Sequence, residues 1–282
     1  MHTVQCSGDK MKIAIGISTM NEGVFRALTN SKEASRVCDI IICQQVTDKA
    51  AAFSMDNHDL SSVNVITKFE TGLSRSRNTL LQAAIDQGYD FLIISDDDVK
   101  YSPEGLRELI DNLSAYRHQH LQFQSTNEHG KLRKKYKNQS FTLSSLDVLK
   151  VSSIEMCLNL GLLKQQNICF DESFGLGAVW PVGEEAVVLA DMQNSGQEIV
   201  FLPIAVTNHP DESTGEKLYY DALMLKSRGV LFRRCYGAAK GLMVTLLFWM
   251  RKFVIRPSDK NKFGKLTSLK LLIKGYVECG KS

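Results

Sequence analysis

The fold is decided by residues Tyr89–Lys100, YDFLIISDDDVK, where an apolar run ends in three consecutive aspartates, Asp96, Asp97 and Asp98. The apolar run shows no polar alternation, which predicts a central strand covered on both faces, so the aspartates should emerge at its carboxyl end. Ligands bind at this edge of open α/β sheets. The stretch therefore predicts an α/β domain with a ligand site at the tip of one strand.

Three adjacent carboxylates repel one another, and a divalent cation with oxygen ligands would neutralise them. Helix capping is the alternative interpretation, because Pro103 and Glu104 follow at positions that suit the first turn of a helix. Three acids exceed what one cap needs. We therefore favour metal or diphosphate binding, with which a helix cap can coexist.

Other apolar runs predict strands at Met11–Ser18, Asp39–Cys43, Val63–Thr67 and Glu198–Pro203. A polar turn and a helix follow the first strand, as in nucleotide-binding domains, but the turn lacks GxGxxG, which argues against a dinucleotide site. The polar and basic stretch from 114 to 140 is predicted to be an exposed loop or an edge hairpin. Its histidines have no cysteine or acid at metal-ligand spacing.

The segment Glu70–Asn78, ETGLSRSRN, leads into an amphipathic helix predicted at Thr79–Gln87. Arg75 and Arg77 suit an anionic ligand, because guanidinium groups and the free amides of a helix start both favour phosphate. Arginines at helix starts are also common on protein surfaces. The segment alone leaves both interpretations open.

A second informative stretch is Ile168–Asp191, ICFDESFGLGAVWPVGEEAVVLAD. Its glycines, including Gly177, keep backbone bulk low, and Trp180 offers a flat apolar face. Glu184 and Glu185 begin a helix, whose dipole would stabilise them there in any case. A glycine-rich floor, a tryptophan and paired acids together suit a sugar pocket with a general base.

Composition separates the chain into an acidic body and a basic tail. Residues 226–282 hold 14 Lys and Arg against two acids, which leaves 20 basic and 29 acidic residues upstream. Such a tail points to an anionic partner. The seven cysteines are scattered without CxxC spacing, which indicates buried thiols in a reducing compartment. Residues 1–10 lack the apolar core of a signal peptide.

The apolar run Gly241–Met250 lies within the basic tail. Ten residues are too few to span a bilayer, which needs about 20 in a helix. Flanking cations and aromatic residues favour interfacial helices on anionic lipid, and a helix packed on the catalytic core is the alternative. Nucleic acid is not expected as a partner, because the lysines alternate with aliphatic more than with stacking aromatic residues.

Together these segments resemble the family 2 glycosyltransferases of the GT-A fold, in particular bacterial enzymes of capsule, O-antigen and other surface-polysaccharide synthesis. The resemblance runs from about Lys12 to Gly215 and rests on five motifs in the family's order: STMNEG, GLSRSRN, ISDDDV, FDESFGLGA with GEE, and NHPDESTG. It implies a Rossmann-like, mostly parallel central sheet flanked by helices. We expect a disordered leader (1–10), a catalytic domain (11–225) and a basic, helical C-terminal extension (226–282).

The resemblance also implies roles for individual residues. Glu185 would be the catalytic base and Glu184 would bind the acceptor hydroxyl, beside the sugar pocket that the residue pattern predicts at Gly177 and Trp180. Asp98 and His209 would hold a divalent cation, Mn²⁺ or Mg²⁺. The residues implied to bind the nucleotide sugar are Thr19, Asn21, Gln44, Arg75, Arg77, Asp96 and Asp97. Gln44 and its neighbour fill the region where the family usually has an aspartate, which puts the nucleotide base in question.

The activity implied is an inverting transfer from a nucleotide-diphosphate sugar to a saccharide or polyprenyl-linked acceptor. The enzyme would be cytoplasmic and peripheral on the inner face of the plasma membrane. A sugar-nucleotide nucleotidyltransferase is one alternative, although it normally shows a glycine-rich loop with Arg and Lys near the first strand. A catalytically degenerate, membrane-bound scaffold of the same fold is another.

Overall fold

The computed structural model describes residues 11–47, 62–210 and 218–279, so the expected leader lies outside the described residues. Its strands are β1 (Ile13–Met20), β2 (Asp39–Gln45), β3 (Val63–Lys68), β4 (Phe91–Asp96), β5 (Lys100–Tyr101), β6 (His120–Thr126), β7 (Phe141–Thr142), β8 (Met156–Asn159) and β9 (Ile199–Asn208). Its α-helices are α1 (Gly23–Ser31), α2 (Leu73–Asp86), α3 (Pro103–Asn112), α4 (Leu160–Gln166), α5 (Glu184–Asn194), α6 (Ala222–Trp249) and α7 (Lys265–Cys279).

The strands form one sheet in the order β3-β2-β1-β4-β8-β6-β9-β5, with β7 also paired to β9. Strands β3, β2, β1 and β4 are parallel, as are β6 and β9, whereas β8 runs antiparallel to both of its neighbours. The predicted mixed α/β architecture with a mostly parallel sheet is confirmed. The acidic strand β4 is central, between β1 and β8.

Two hydrophobic layers cover the sheet. Helices α1 and α3 pack on one face through residues such as Val24 and Leu106, and α2, α4 and α5 pack on the other through residues such as Leu80 and Val188. The apolar run of β4 is fully buried between these layers, as its composition predicts. Full burial of each such side chain contributes about 1.5–3 kcal/mol, so the strand that carries the aspartates is held firmly.

Two elements differ from the sequence prediction. Strand β6 lies inside the stretch predicted to be an exposed loop, and His120 at its start is fully buried, with Nδ1 accepting from the Asn159 amide. The strand was missed because its alternating glutamines suggest an exposed segment. In the structure they are buried with hydrogen-bond partners: Gln122, for example, donates to the carboxylate of Glu155. Helix α2 begins at Leu73, six residues before the predicted start, because the serines of its first turn bond to neighbouring elements.

The C-terminal region packs partly on the domain that contains the sheet. Helix α6 crosses the predicted boundary at 225/226, bends at Gly237 and is followed by a π-helical turn (Met250–Ile255). Residues 230–235 of α6 share a hydrophobic cluster with Phe174 and with α5. No described helix is both long and apolar enough to cross a membrane. Beyond the bend, exposed apolar residues form what we call the C-terminal apolar face: Leu242, Met243, Leu246, Leu247, Met250 and Ile255.

Candidate active site

The three aspartates at the tip of β4 contact three different parts of the chain. Asp97 accepts hydrogen bonds from Thr19 Oγ1 (2.5 Å) and from Arg26 Nη2 (2.6 Å). A side chain at Gly23 would overlap both Asp97 and Thr19, so glycine there allows helix α1 to approach the tip. The alternative interpretation was that an aspartate caps α3. The cap is instead formed by Ser102, whose Oγ accepts from the Gly105 amide. The aspartates therefore have no capping role at α3.

Arg77 links the tip of β4 to the start of α5. Its buried guanidinium donates to Asp96 Oδ1 (3.2 Å) and to Glu184 Oε1 (2.7 Å). Burial lowers the pKa of Arg77, but the negative charges of Asp96 and Glu184 outweigh that effect and keep it above its usual value. Burial raises the pKa of Asp96, and Arg77 opposes this rise. Arg77 thus lies beneath the site and joins the two acidic clusters.

Asp98 faces His209, as the resemblance implies. Asp98 Oδ1 lies 3.2 Å from His209 Nε2, and Nδ1 of the same ring lies 2.6 Å from the Pro210 carbonyl oxygen. The contact with His209 lowers the pKa of Asp98, and the same contact raises the pKa of His209. The geometry of this contact is poor, because Asp98 Oδ1 is buried without a well-formed hydrogen bond. A buried carboxylate oxygen in need of a partner, next to an imidazole, fits a divalent cation.

The described residues contain no group of three or more His, Cys, Asp or Glu side chains placed to hold a metal ion. Two protein ligands and the diphosphate of a substrate are a common arrangement for Mg²⁺, which keeps several other oxygen ligands. The pair Asp98 and His209 fits that arrangement. Metal binding stays a prediction.

The acid pair begins helix α5 directly after Gly183, which has a φ of +96°. Glu184 is buried against Arg77, and Glu185 is partly buried beside it. Burial and the charge of Glu184 raise the pKa of Glu185 to about 8, against the smaller opposing effects of a backbone hydrogen bond, Arg77 and Arg228. A carboxyl group with a pKa near neutral can accept and return a proton at physiological pH. The geometry therefore suits a general base at Glu185.

The glycine-rich loop before α5 is bound to the start of α2. Ser74 Oγ donates to the Phe174 carbonyl (2.6 Å), and the Leu73 amide donates to the Leu176 carbonyl (2.9 Å). Gly177, which has a φ of +82°, lies against Gly72. Trp180 is partly buried, with Lys226 Nζ 6.0 Å from its ring centroid. The structure thus brings the predicted sugar pocket next to the acid pair.

The remaining predicted nucleotide residues lie at the ends of β1, β2 and α2. Gln44 is fully buried, donates to the Asn21 carbonyl (2.8 Å) and accepts from Thr67 Oγ1 (3.2 Å). Asn21 has a φ of +48°, so Gln44 holds a strained turn. Arg75 is exposed and pairs with Glu172 (3.1 Å). Direct contact of Gln44 and Arg75 with a nucleotide stays a prediction.

Sequence reasoning missed two arginines from other elements that act electrostatically on the acidic clusters. Arg26 pairs with Asp97 from α1, and Arg228 of α6 faces Glu184 and Glu185 from the region assigned to the extension. Arg26 follows the STMNEG motif by one helical turn, so its position on the site side of α1 was available as a signal. Arg228 had no such signal, because only long-range packing places α6 beside α5.

The fold is similar to that of S. aureus TarS, a glycosyltransferase of the GT-A type. The chain is 15% identical to the crystal structure of TarS 1–349, with a TM-score of 0.61, over 95% of this chain and 82% of that one. It is 13% identical to the complex with UDP-GlcNAc (TM-score 0.64, 95% and 79% covered) and to the complex with UDP (TM-score 0.61, 94% and 81%). No protein-family model and no curated protein matches the sequence. The chain has the GT-A glycosyltransferase fold, and its membership of family 2 stays a prediction.

Proposed function

We propose that the chain is an inverting family 2 glycosyltransferase that moves a sugar from a nucleotide-diphosphate sugar to a hydroxyl of a saccharide acceptor. The observation that carries this proposal is the meeting of two acidic clusters across Arg77, at the carboxyl edge of the sheet. The likeness to TarS, whose crystal structures include complexes with UDP and UDP-GlcNAc, supports a nucleotide-sugar donor. Because those complexes contain UDP, we expect the donor of this chain to be a UDP-sugar.

On the donor side, Asp98 and His209 would hold Mn²⁺ or Mg²⁺. A bound divalent cation supplies Lewis-acid chemistry, which stabilises the negative charge of a departing diphosphate. Asp96 is oriented by Arg77, and Asp97 is fixed by Thr19 and Arg26. These contacts preorganise the strand tip, so the chain need not reorganise the carboxylates when the donor binds.

The nucleoside would lie over the ends of β1 and β2. Thr19 and Asn21 border this region, and buried Gln44 supports the turn between them from below. Arg75 is exposed at the start of α2, where its guanidinium can exchange Glu172 for a phosphate oxygen. Among these residues, Arg75 is therefore the one placed to change partners when the donor arrives.

On the acceptor side, Glu185 removes the proton from the attacking hydroxyl as the hydroxyl oxygen bonds to the anomeric carbon. The bond from that carbon to the diphosphate oxygen breaks in the same step, with inversion. Arg77 pairs with one oxygen of Glu184, and the other oxygen would accept a hydrogen bond from the acceptor. Trp180 and the loop at Gly177 would provide the apolar and close-packed surfaces for the sugar rings.

A direct test is incubation of the protein with Mn²⁺ or Mg²⁺ and a panel of UDP-, GDP- and dTDP-sugars, followed by measurement of nucleotide release and of donor binding. We expect release of UDP from one UDP-sugar, and much less release by Glu185→Gln. Pyrophosphate production from a nucleoside triphosphate and a sugar 1-phosphate would indicate a nucleotidyltransferase. Donor binding without turnover on any acceptor would indicate a scaffold, and failure to bind any donor would contradict the proposal.

We further propose that the C-terminal apolar face lies on the inner surface of the plasma membrane, where a polyprenyl-linked acceptor would be carried. Its aliphatic residues are exposed on the second half of α6 and the turn that follows, and Arg251, Lys252 and Arg256 lie among them. An apolar face with adjacent cations fits binding to anionic lipid. The first half of α6 packs on the core, as does Val244 of the second half, so the proposal concerns only the exposed residues of the face.

Truncation at 225 would expose the core cluster, so point variants test membrane binding more cleanly. We expect the full chain to sediment with anionic liposomes at low salt and to be released in part as salt rises. Met243→Glu combined with Leu247→Glu should lose this binding, because both residues are about half exposed on the face. Leu132→Glu, which changes an equally exposed residue elsewhere, is the matched control. Equal sedimentation of all three proteins would contradict the membrane proposal.

A further inference from the structure

The first half of α6 runs along α5 in the same direction. The Leu231 side chain packs against Gly183 at the start of α5, and Cys235 Sγ donates to the Ala186 carbonyl one helical turn further on. Residues three and four apart lie on the same face of a helix. Arg228 therefore lies one turn before Leu231, on the α5 side, at the end of α5 where the acid pair begins.

The guanidinium of Arg228 is partly buried, and it forms no hydrogen bond within the described part of the chain. Arginine remains charged in proteins and is costly to bury without a partner. Burial lowers the pKa of Arg228, and the charges of Glu185 and Glu184 act in the opposite direction. The acid pair is thus the compensating charge for this cation.

We propose that Arg228 is a positioning residue for the transfer reaction, contributed by the C-terminal helix to hold the charge of Glu185. This inference rests on the proposed function, in which Glu185 must be ionised before it accepts a proton. The charged groups that face Glu185 are Glu184 from its own helix, Arg77 from α2 and Arg228 from α6. Arg77 already donates to Glu184 and Asp96. Arg228 donates to no other group among the described residues.

The consequence is that catalysis depends on α6 being docked. Without the cation, Glu184 and burial both favour the protonated form of Glu185, which cannot act as a base. Removal of a nearby opposite charge raises a carboxyl pKa by about one unit, and Arg228 is the weaker of the two cations that act on Glu185. At pH 7 that shift would reduce the ionised fraction of Glu185 about tenfold.

The test is a titration of Glu185 by NMR with ¹³C-labelled glutamate carboxyls, assigned by the signal lost in Glu185→Gln. Arg228→Met should raise the apparent pKa of Glu185 by about one unit, and Arg228→Lys should restore most of the difference. Arg233→Met removes the same group from α6 on the side that faces Tyr276, and it should leave the Glu185 titration unchanged. Should Arg228→Met fold poorly, Arg228→Gln removes the charge with a polar side chain and is expected to give the same shift.

An unchanged Glu185 titration in the folded Arg228 variants, or an equal shift in Arg233→Met, would overturn the inference. The titration needs no substrate, so it decides this point even if no donor is turned over and the proposed function fails. Where turnover is measured, the acid limb of the kcat/KM profile should move to higher pH in Arg228→Met, with activity recovering at alkaline pH. A purely structural role would lower activity at every pH alike.

Discussion

The two acidic clusters of the site are built differently. At the tip of β4, three carboxylates are spread over separate partners: Arg77 for Asp96, Arg26 and Thr19 for Asp97, and His209 for Asp98. At the start of α5, Glu184 has a tight partner, whereas the neighbouring Glu185 has a raised pKa. The first arrangement gives each carboxylate a donor or cation of its own, as a site for a cation and a diphosphate requires. The second keeps one carboxyl ready to exchange a proton.

Substitution of Arg77, which contacts both clusters, should have the largest effect of the changes considered. Arg77→Met leaves Asp96 and Glu184 without their shared buried cation, and loss of one partner from a buried pair costs about 3–5 kcal/mol. We expect that loss in the free energy of unfolding, measured by urea denaturation. The control is Arg26→Met, because Arg26 is 59% exposed and pairs with an aspartate of the same cluster. Exposed pairs contribute at most about 1 kcal/mol. Equal losses in the free energy of unfolding for Arg77→Met and Arg26→Met would therefore contradict the proposed difference between a buried and an exposed arginine.

The second prediction separates the members of the acid pair. Glu185→Gln should lower turnover about 10²-fold or more, because the amide keeps the shape of the side chain but cannot accept a proton. Donor binding should be retained. Glu184→Gln should act mainly on stability, since it removes the charge that Arg77 binds. Nucleotide release and urea denaturation of both variants check this, and a dead Glu184→Gln beside a nearly normal Glu185→Gln would reverse the assignment.

The third and smallest effect is on the pH dependence of stability. The folded pKa of Glu185 is near 8 and the unfolded value near 4.3, so the folded chain holds an extra proton between these pH values. Stability contributed by this group is therefore present at low pH and lost as pH rises through that window. Glu185→Gln cannot ionise and should be more stable than the wild type at pH 8, by about 1 kcal/mol, because solvent screens this partly exposed side chain and reduces the effect of the full shift.

Urea midpoints at pH 5 and pH 8 measure this effect. Glu108→Gln changes an exposed carboxylate on α3 and should leave the pH dependence as it is in the wild type. A Glu185→Gln variant whose stability falls between pH 5 and pH 8 as steeply as the wild type would show that the carboxyl is not held protonated. The contrast between the two clusters would then disappear.

Local patterns in the sequence predict the parts of the site that depend on neighbouring residues. The apolar run before Asp96 fixes β4 as a buried strand, and GEE after a glycine-rich loop fixes the start of α5. Strand β6 was missed because its glutamines are polar by composition yet buried with partners such as Glu155. Arg228 was missed because its role depends on the packing of two helices that are distant in the chain. Long-range contacts of this kind leave no periodic signal.

The most direct test of the division between binding and proton transfer is a calorimetric titration of two variants with a UDP-sugar and Mn²⁺. Asp98→Ala should lose at least about tenfold in metal-dependent donor affinity, because it removes one of two protein ligands. Glu185→Gln should bind the donor as the wild type does. Unchanged affinity in Asp98→Ala, or a comparable loss in Glu185→Gln, would contradict the account.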